Sequence, residues 1–226
     1  MWNGVFEFSD TWARYSGPIG ESDTHAHAAL QVAIASHGSV AVEATQHIYR
    51  SKVLLIPPMV SHRTMPGRNS VIFLFVEAQS DLGRALRSRC TDGVTEAPEL
   101  HPHANDVATL ERRLRVDRLP PLDRRLAAAL ASLQARGSSS IRSTATEVGL
   151  SPTRLRDLAR TQLGVPLARW LLWRKLACAG RAMAQGSVLA QAALEANFAD
   201  QAHLTRTMKR MLGITPTAAL NSLREV

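Results

Sequence analysis

The chain has 226 residues, of which 45% are hydrophobic and 20% charged, the make-up of an ordinary globular protein. Its longest strand-like apolar run, Val71–Val76, is far too short to span a bilayer, and two distant cysteines, Cys90 and Cys178, argue against a disulfide framework. The net charge of +8 is lopsided: residues 1–116 hold 11 Lys/Arg against 12 Asp/Glu, a net −1, whereas residues 117–226 hold 16 against 7, a net +9. A neutral module joined to a cationic one points to a polyanionic partner for the second half. The first twenty residues mix Glu7, Asp10 and Arg14 with Gly, Pro and aromatics, so no secretory pattern is expected and the thiols are read as those of a reduced, cytoplasmic protein.

In chain order, the pattern begins β-like. Leu30–Ser36, Val40–Ala44, Val53–Ile56 and Val71–Val76 are short, rich in Val and Ile, and separated by Gly, Pro, Ser and Asn, which predicts a small barrel or sandwich over residues 1–78. "THAHAALQVAIASHG" (24–38) sets His25 and His27 two apart in an expected strand, with both rings on one face, and "LLIPPMVSH" (54–62) delivers His62 from a strand and turn. Two histidines on one strand and a third from a facing strand could bind a divalent transition metal, helped by His47 or Gln31. The arrangement is similar to a cupin barrel, with Gln31 standing where a metal-binding cupin offers Glu. Three readings stay open: a metal site, the polar lining of an organic-effector pocket, or a vestigial barrel. No carboxylate or general base accompanies the histidines, so an enzyme is not expected.

Residues 79–118 turn helical, at 80–90 and 105–116, with Leu82, Leu86, Leu110 and Leu114 at helical spacing around the Pro- and Glu-rich loop Thr91–His103. These leucines are expected either to build a homodimer interface or to pack on the preceding strands. "LPPLD" (119–123) marks the boundary of a helical module over 119–226, with Pro121 able to open its first helix.

That module repeats one plan. Ser143 can cap a short helix Thr144–Val148, Gly149 can make a left-handed turn, and Ser151 with Pro152 can open a second helix that buries Leu155, Leu158 and Leu163 and stops at Gly164. The copy runs through Leu189–Glu195, the turn Ala196–Asn197, the cap Asp200, the face Leu204, Met208 and Leu212, and the stop Gly213. Two short helices and a tight turn make a helix-turn-helix, whose second helix can enter a major groove. Between the copies, 166–185 reads as one helix of about 30 Å, close to the roughly 34 Å between successive major-groove faces.

"FADQAHLTRTMKRMLGITP" (198–216) and "LARWLLWRKLACA" (167–179) resemble the signature and linker helix of the AraC/XylS family of bacterial transcription regulators. The resemblance implies an α+β protein in which a cupin-like sensor precedes an all-α domain of two helix-turn-helix units on a long linker helix. It also implies double-stranded DNA as partner, an activator or repressor role, contact with RNA polymerase, and control by a small-molecule or metal effector. Helix geometry places Thr153, Arg154, Arg156 and Asp157 on the front of the first recognition helix and Gln201, Ala202, His203 and Arg206 on the second. Arg206 fits the O6/N7 edge of guanine, while Arg160, Lys209 and Arg210 fit phosphates. Asp157 either reads a cytosine amino group or is neutralised by Arg154 or Arg160. A protein that coats DNA without sequence preference, or a cupin-type metalloenzyme fused to a DNA-binding domain, are the rival readings.

Overall fold

The computed structural model describes residues 2–136 and 140–223. The N-terminal strands are β1 (Val5–Phe8), β2 (Trp12–Ile19), β3 (Leu30–Ala35), β4 (Val40–Ala44), β5 (His47–Ser51), β6 (Val53–Ile56), β7 (His62–Thr64), β8 (Gly67–Val76) and β9 (Thr95–Glu96). They form a six-stranded sheet in the order β1-β2-β8-β3-β6-β9 and a three-stranded sheet in the order β5-β4-β7, and every pairing is antiparallel. Among the described residues no ladder joins the two into a closed ring, so the expected barrel is an open pair of sheets. Gly38, at φ +68°, turns the chain out of the large sheet and into the small one. Thr45 and Gln46, both at positive φ, then form the tight connection from β4 to β5.

β3 is buried along its whole length because the large sheet is covered on both faces. Leu30, Val32 and Ile34 point one way, into a core shared with Leu82, Leu86 and Leu110. Ala33 and Ala35 point the other way, into a core that runs through Tyr15 and Phe73 to the C-terminal helices. Helices α1 (Asp81–Arg87) and α2 (Val107–Leu114) supply the first of these covers. The leucines expected at a dimer interface are thus occupied within the chain: Leu82, Leu86 and Leu110 are buried on the sheet, and Leu114 is packed on the same cluster.

The C-terminal half holds α3 (Arg124–Arg136), α4 (Ile141–Glu147), α5 (Pro152–Leu163), α6 (Leu167–Ala184), α7 (Leu189–Glu195), α8 (Gln201–Leu212) and α9 (Pro216–Leu223). Helix α3 starts later than Pro121, because the Asp123 carboxylate accepts from the amides of Arg125 (2.8 Å) and Leu126 (3.3 Å) and so sets the first turn. Helix α4 likewise starts three residues before Thr144: Ser140, not Ser143, is its cap, accepting from the Arg142 amide. Ser143 sits inside the helix and donates to the Ser140 carbonyl. Trp170, Trp173 and Leu176 bury α6 against both halves. No described helix is long and apolar enough to cross a membrane.

Candidate DNA-reading face and effector site

Local chemistry shapes two helix pairs, α4–α5 and α7–α8, in the same way. Gly149 (φ +66°) and Asn197 (φ +57°) make the left-handed turns, Asn being a non-glycine residue that tolerates this region. Ser151 then accepts from the Arg154 amide at 3.1 Å and Asp200 from the His203 amide at 2.6 Å, capping α5 and α8. Gly164 and Gly213, both left-handed, end them. Leu155, Leu158 and Leu163 are buried on α5, and Leu204, Met208 and Met211 on α8. Leu212, expected on that buried face, is only partly buried, and Met211 takes the place beside it.

The opposite faces carry the residues predicted to meet DNA. Thr153, Arg154, Arg156, Asp157 and Arg160 are all exposed on α5. Arg160 stands 3.9 Å from Asp157, a loose contact between groups more than half exposed, so it is the partner nearer to that carboxylate and is worth little in solvent. On α8, Gln201, Ala202, Arg206, Lys209 and Arg210 are exposed, and His203 is half-buried with its ring edge-on to Phe198. Lys209 is not simply free in solution, because its ammonium lies 3.3 Å from the carboxylate of Asp23 in the N-terminal half.

The histidine cluster also assembles, by a different route from the one expected. His25 and His27 lie in the segment before β3 rather than within a strand, and a single antiparallel bridge joins His25 to His62 at the start of β7. The rings of His25, His27 and His62 have centroids 4.4–5.7 Å apart, and a ligand atom of each falls within 4.8 Å of the others. Gln31 joins them, its Oε1 lying 2.9 Å from His27 Nε2 and 3.2 Å from His62 Nε2. His47 does not: it is exposed on β5 with its ring against Tyr49, and β4 separates it from His62 on β7.

Burial lowers the pKa of all three clustered rings. His27 falls to about 4, through burial first and the neighbouring His25 second. His62 falls well below the ordinary value for the same reason, with His27 and His25 adding to it, and His25 falls despite the carbonyl of Asp23 beside it. The cluster is therefore a set of neutral imidazoles near neutral pH.

His25 and Gln31 help to line a cavity of about 90 Å³ between the large sheet and the C-terminal helices. Tyr15, Phe73 and Phe75 line it from the sheet, and Trp173, Met183 and Met208 from the helices. Among the described residues its lining contains no Lys, Arg, Asp or Glu. An apolar cavity with a few neutral polar groups in its wall suits a largely apolar small molecule.

Residues 144–222 match the family model described as a helix-turn-helix domain. This stretch is an AraC-type DNA-binding domain. The fold of the whole chain is similar to that of ToxT from Vibrio cholerae. A single-residue variant of ToxT in its apo form is 13% identical, with 96% of this chain and 99% of that chain covered and a TM-score of 0.61. Wild-type ToxT with an unsaturated fatty acid bound is 12% identical, with 97% and 98% covered and a TM-score of 0.60. ToxT bound to a naphthalene-bearing butenoic acid is also 12% identical, with 95% and 100% covered and a TM-score of 0.56. At such identities the likeness is one of fold. No curated protein matches the chain.

The AraC-type domain is clasped to the N-terminal half by contacts between residues 75 to 172 apart in the chain, which have no local sequence signal. Glu77, at the end of β8, accepts from Arg174 (2.9 Å) and from the Trp173 indole (3.2 Å) of α6. Gln79 accepts from the Trp170 indole at 2.7 Å. Arg174 and Arg181 reach back to the carbonyls of Asp10 and Ser9, and Arg87 of α1 donates to the Gln162 carbonyl near the end of α5. Burial lifts the Glu77 carboxyl above the usual range, and Arg174 opposes that only in part. Glu77 Oε2 and Arg174 Nε have no partner among the described residues, so the pair is enclosed yet imperfectly satisfied.

Proposed function

We propose that the chain is a transcription regulator that reads two DNA boxes with α5 and α8 and responds to a small, largely apolar effector held between its halves. In this reading residues 1–78 are the sensor, 79–118 its helical support and 119–226 the DNA-binding domain, with α4–α5 and α7–α8 as two helix-turn-helix units. The observation that carries it is the pair of capped helices whose outer faces, unlike their buried ones, are lined with Arg, Gln and Thr. Helix α6, 18 residues and so about 27 Å long, sets the two units about one DNA turn apart.

The cavity supports the effector half of the reading, since both halves line it and its occupant would bias their arrangement. ToxT, the similar fold, has been solved with an unsaturated fatty acid. Among the described residues the lining offers no Lys or Arg to a carboxylate, which favours a neutral head group hydrogen-bonded to His25 or Gln31. RNA polymerase is the further partner that the AraC-type resemblance implies. A second copy of the chain would have to dock through a surface other than the covered leucines of α1 and α2.

Selection from random duplexes tests the DNA reading. It should enrich sites with two boxes about ten base pairs apart; enrichment of no sequence would favour the DNA-coating alternative. Within such a site, Arg206→Ala should weaken binding by roughly 1–3 kcal/mol and relax the preference at one guanine. Unchanged affinity and base preference would remove Arg206 from the interface.

A further inference from the structure

Helix α6 has a face that neither the DNA reading nor the effector cavity uses. Leu171, Arg174, Lys175, Cys178 and Arg181 recur three and four residues apart and so share one stripe of the helix. That stripe lines a cleft of about 300 Å³ together with Arg136 at the end of α3 and with Ala196 and Asn197, the turn between α7 and α8. None of the α5 and α8 residues predicted to read DNA lines it.

Among the described residues the cleft is lined by four cations, Arg136, Arg174, Lys175 and Arg181, against one carboxylate, that of Glu195. Two of the cations are already paired: Arg136 with Glu147, and Arg174 with buried Glu77. Lys175 and Arg181 form no ion pair among the described residues. Lys175 donates to the Asn197 carbonyl at 2.7 Å and Arg181 to the Ser9 carbonyl at 3.1 Å, bonds that leave the charge in place. An ammonium has three N–H donors and a guanidinium five, so each keeps donors for a further acceptor. Glu195 does not supply one, because its Oε1 accepts from Gln191 (3.0 Å) and Ser187 (3.4 Å) instead. Both free cations are half-buried, where an uncompensated charge acts more strongly than on open surface.

Arg181 follows Arg174 by two helical turns, about 10 Å along the axis. A single phosphate or carboxylate cannot reach both levels, whereas a chain of phosphates can. Arg offers phosphate its planar fork and Lys a compact point charge, so the pair suits such a chain. Leu133 and Leu171 add an apolar wall beside the cations, a surface on which a nucleoside base can lie. The volume is at the small end of small-molecule sites.

We propose that this cleft binds a small ligand built on a chain of phosphates, held by Lys175 and Arg181, with Arg136 and Arg174 adding to the positive field. The phosphate chain is the shared chemistry, whether free or carried on a nucleoside. The site goes beyond the regulatory reading above, since it has no lining residue in common with the effector cavity and none with the DNA-reading faces. It adjoins the seam between the halves, because Arg174 and Arg181 also hold the carbonyls of Asp10 and Ser9.

Calorimetry of the full chain at low salt, with tripolyphosphate and with adenosine triphosphate, tests the site without DNA or divalent ions. One ligand per chain is expected. Lys175→Gln and Arg181→Gln should each weaken binding about tenfold, the loss of one hydrogen-bonded charge. Glu195→Gln, which removes the opposing carboxylate, should tighten it about threefold. Bound ligand should also slow the reaction of Cys178 with iodoacetamide and leave that of Cys90 unchanged, since only Cys178 lines the cleft. Tighter binding of the nucleotide than of tripolyphosphate places its base on Leu133 and Leu171; equal binding assigns the site to the phosphate chain alone. Absence of binding in both the wild type and Glu195→Gln overturns the proposal, as does binding that Lys175→Gln and Arg181→Gln leave unchanged. A random DNA duplex that protects Cys178 as well as tripolyphosphate does overturns it in favour of the DNA backbone. No readout needs a selected DNA site, so failure to select one would count against the regulator reading alone.

Discussion

Glu77→Ala should destabilise the chain by about 3–5 kcal/mol, measured by urea unfolding at neutral pH. The loss comes from what the substitution leaves behind rather than from the net strength of the pair. The Arg174 side chain is 10% exposed, its Nε already lacks a partner, and with Glu77 gone its guanidinium keeps only the carbonyl of Asp10. The Trp173 indole loses its acceptor at the same time. Replacing both charged residues, as in Glu77→Leu with Arg174→Leu, removes the stranded charge and should recover most of the loss. A single-variant loss below about 1 kcal/mol would show that the halves part easily enough for solvent to reach Arg174. The same variant should also loosen the seam on which the effector cavity depends, since Trp173 lines that cavity as well.

Gly213→Ala is expected to cost about 2–5 kcal/mol, in contrast to about 1–2 kcal/mol for Gly149→Ala. The two glycines have nearly the same backbone, φ +69° and φ +66°, so the conformational penalty of a side chain is common to both. Their surroundings differ. Nothing lies within 4 Å of a Cβ on Gly149, whereas one on Gly213 meets the Asp23 backbone and the His25 ring. The difference between the two variants, read from paired denaturation curves, therefore isolates the contact of α8 with the N-terminal half. Equal losses would mean that this contact opens in solution.

The C-terminal helices were legible because their determinants are local. Ser151, Asp200, Gly149, Asn197, Gly164 and Gly213 each act on their own turn, and α7 spans Leu189–Glu195 as its sequence predicts. Where two caps compete within a few residues, as Ser140 and Ser143 do, composition does not choose between them; hydrogen-bond geometry does. The strands were legible where buried on both faces, as β3 and β6 are, since an unbroken Val/Ile/Leu run needs no neighbour to be recognised. β2 was not anticipated. "WARYSGPI" holds Arg14, Gly17 and Pro18, is mostly half-buried, and is a strand only because β1 and β8 pair with it, with a register shift at Pro18/Ile19. β5 is an exposed edge whose polar sequence resembles a loop.

The histidine cluster illustrates the same boundary. HxH spacing and a distant His62 were enough to group three rings, but the grouping is made by an isolated bridge and a loop, not by the strand geometry that suggested it. His47 was drawn in by composition and excluded by topology, because β5 lies at the far edge of the small sheet. The clasp between Glu77 and Arg174 joins residues 97 apart and could be read only from the fold.

The central claim is that one chain presents two reading helices to one side of DNA about a turn apart. Binding to duplexes whose two selected boxes are moved apart in steps of one base pair tests it most directly. Affinity should fall at least tenfold when about five base pairs are inserted, which turns the second box to the opposite side, and should recover in part at about ten. Affinity indifferent to that spacing would contradict the account, because it would mean that α5 and α8 do not engage the duplex together.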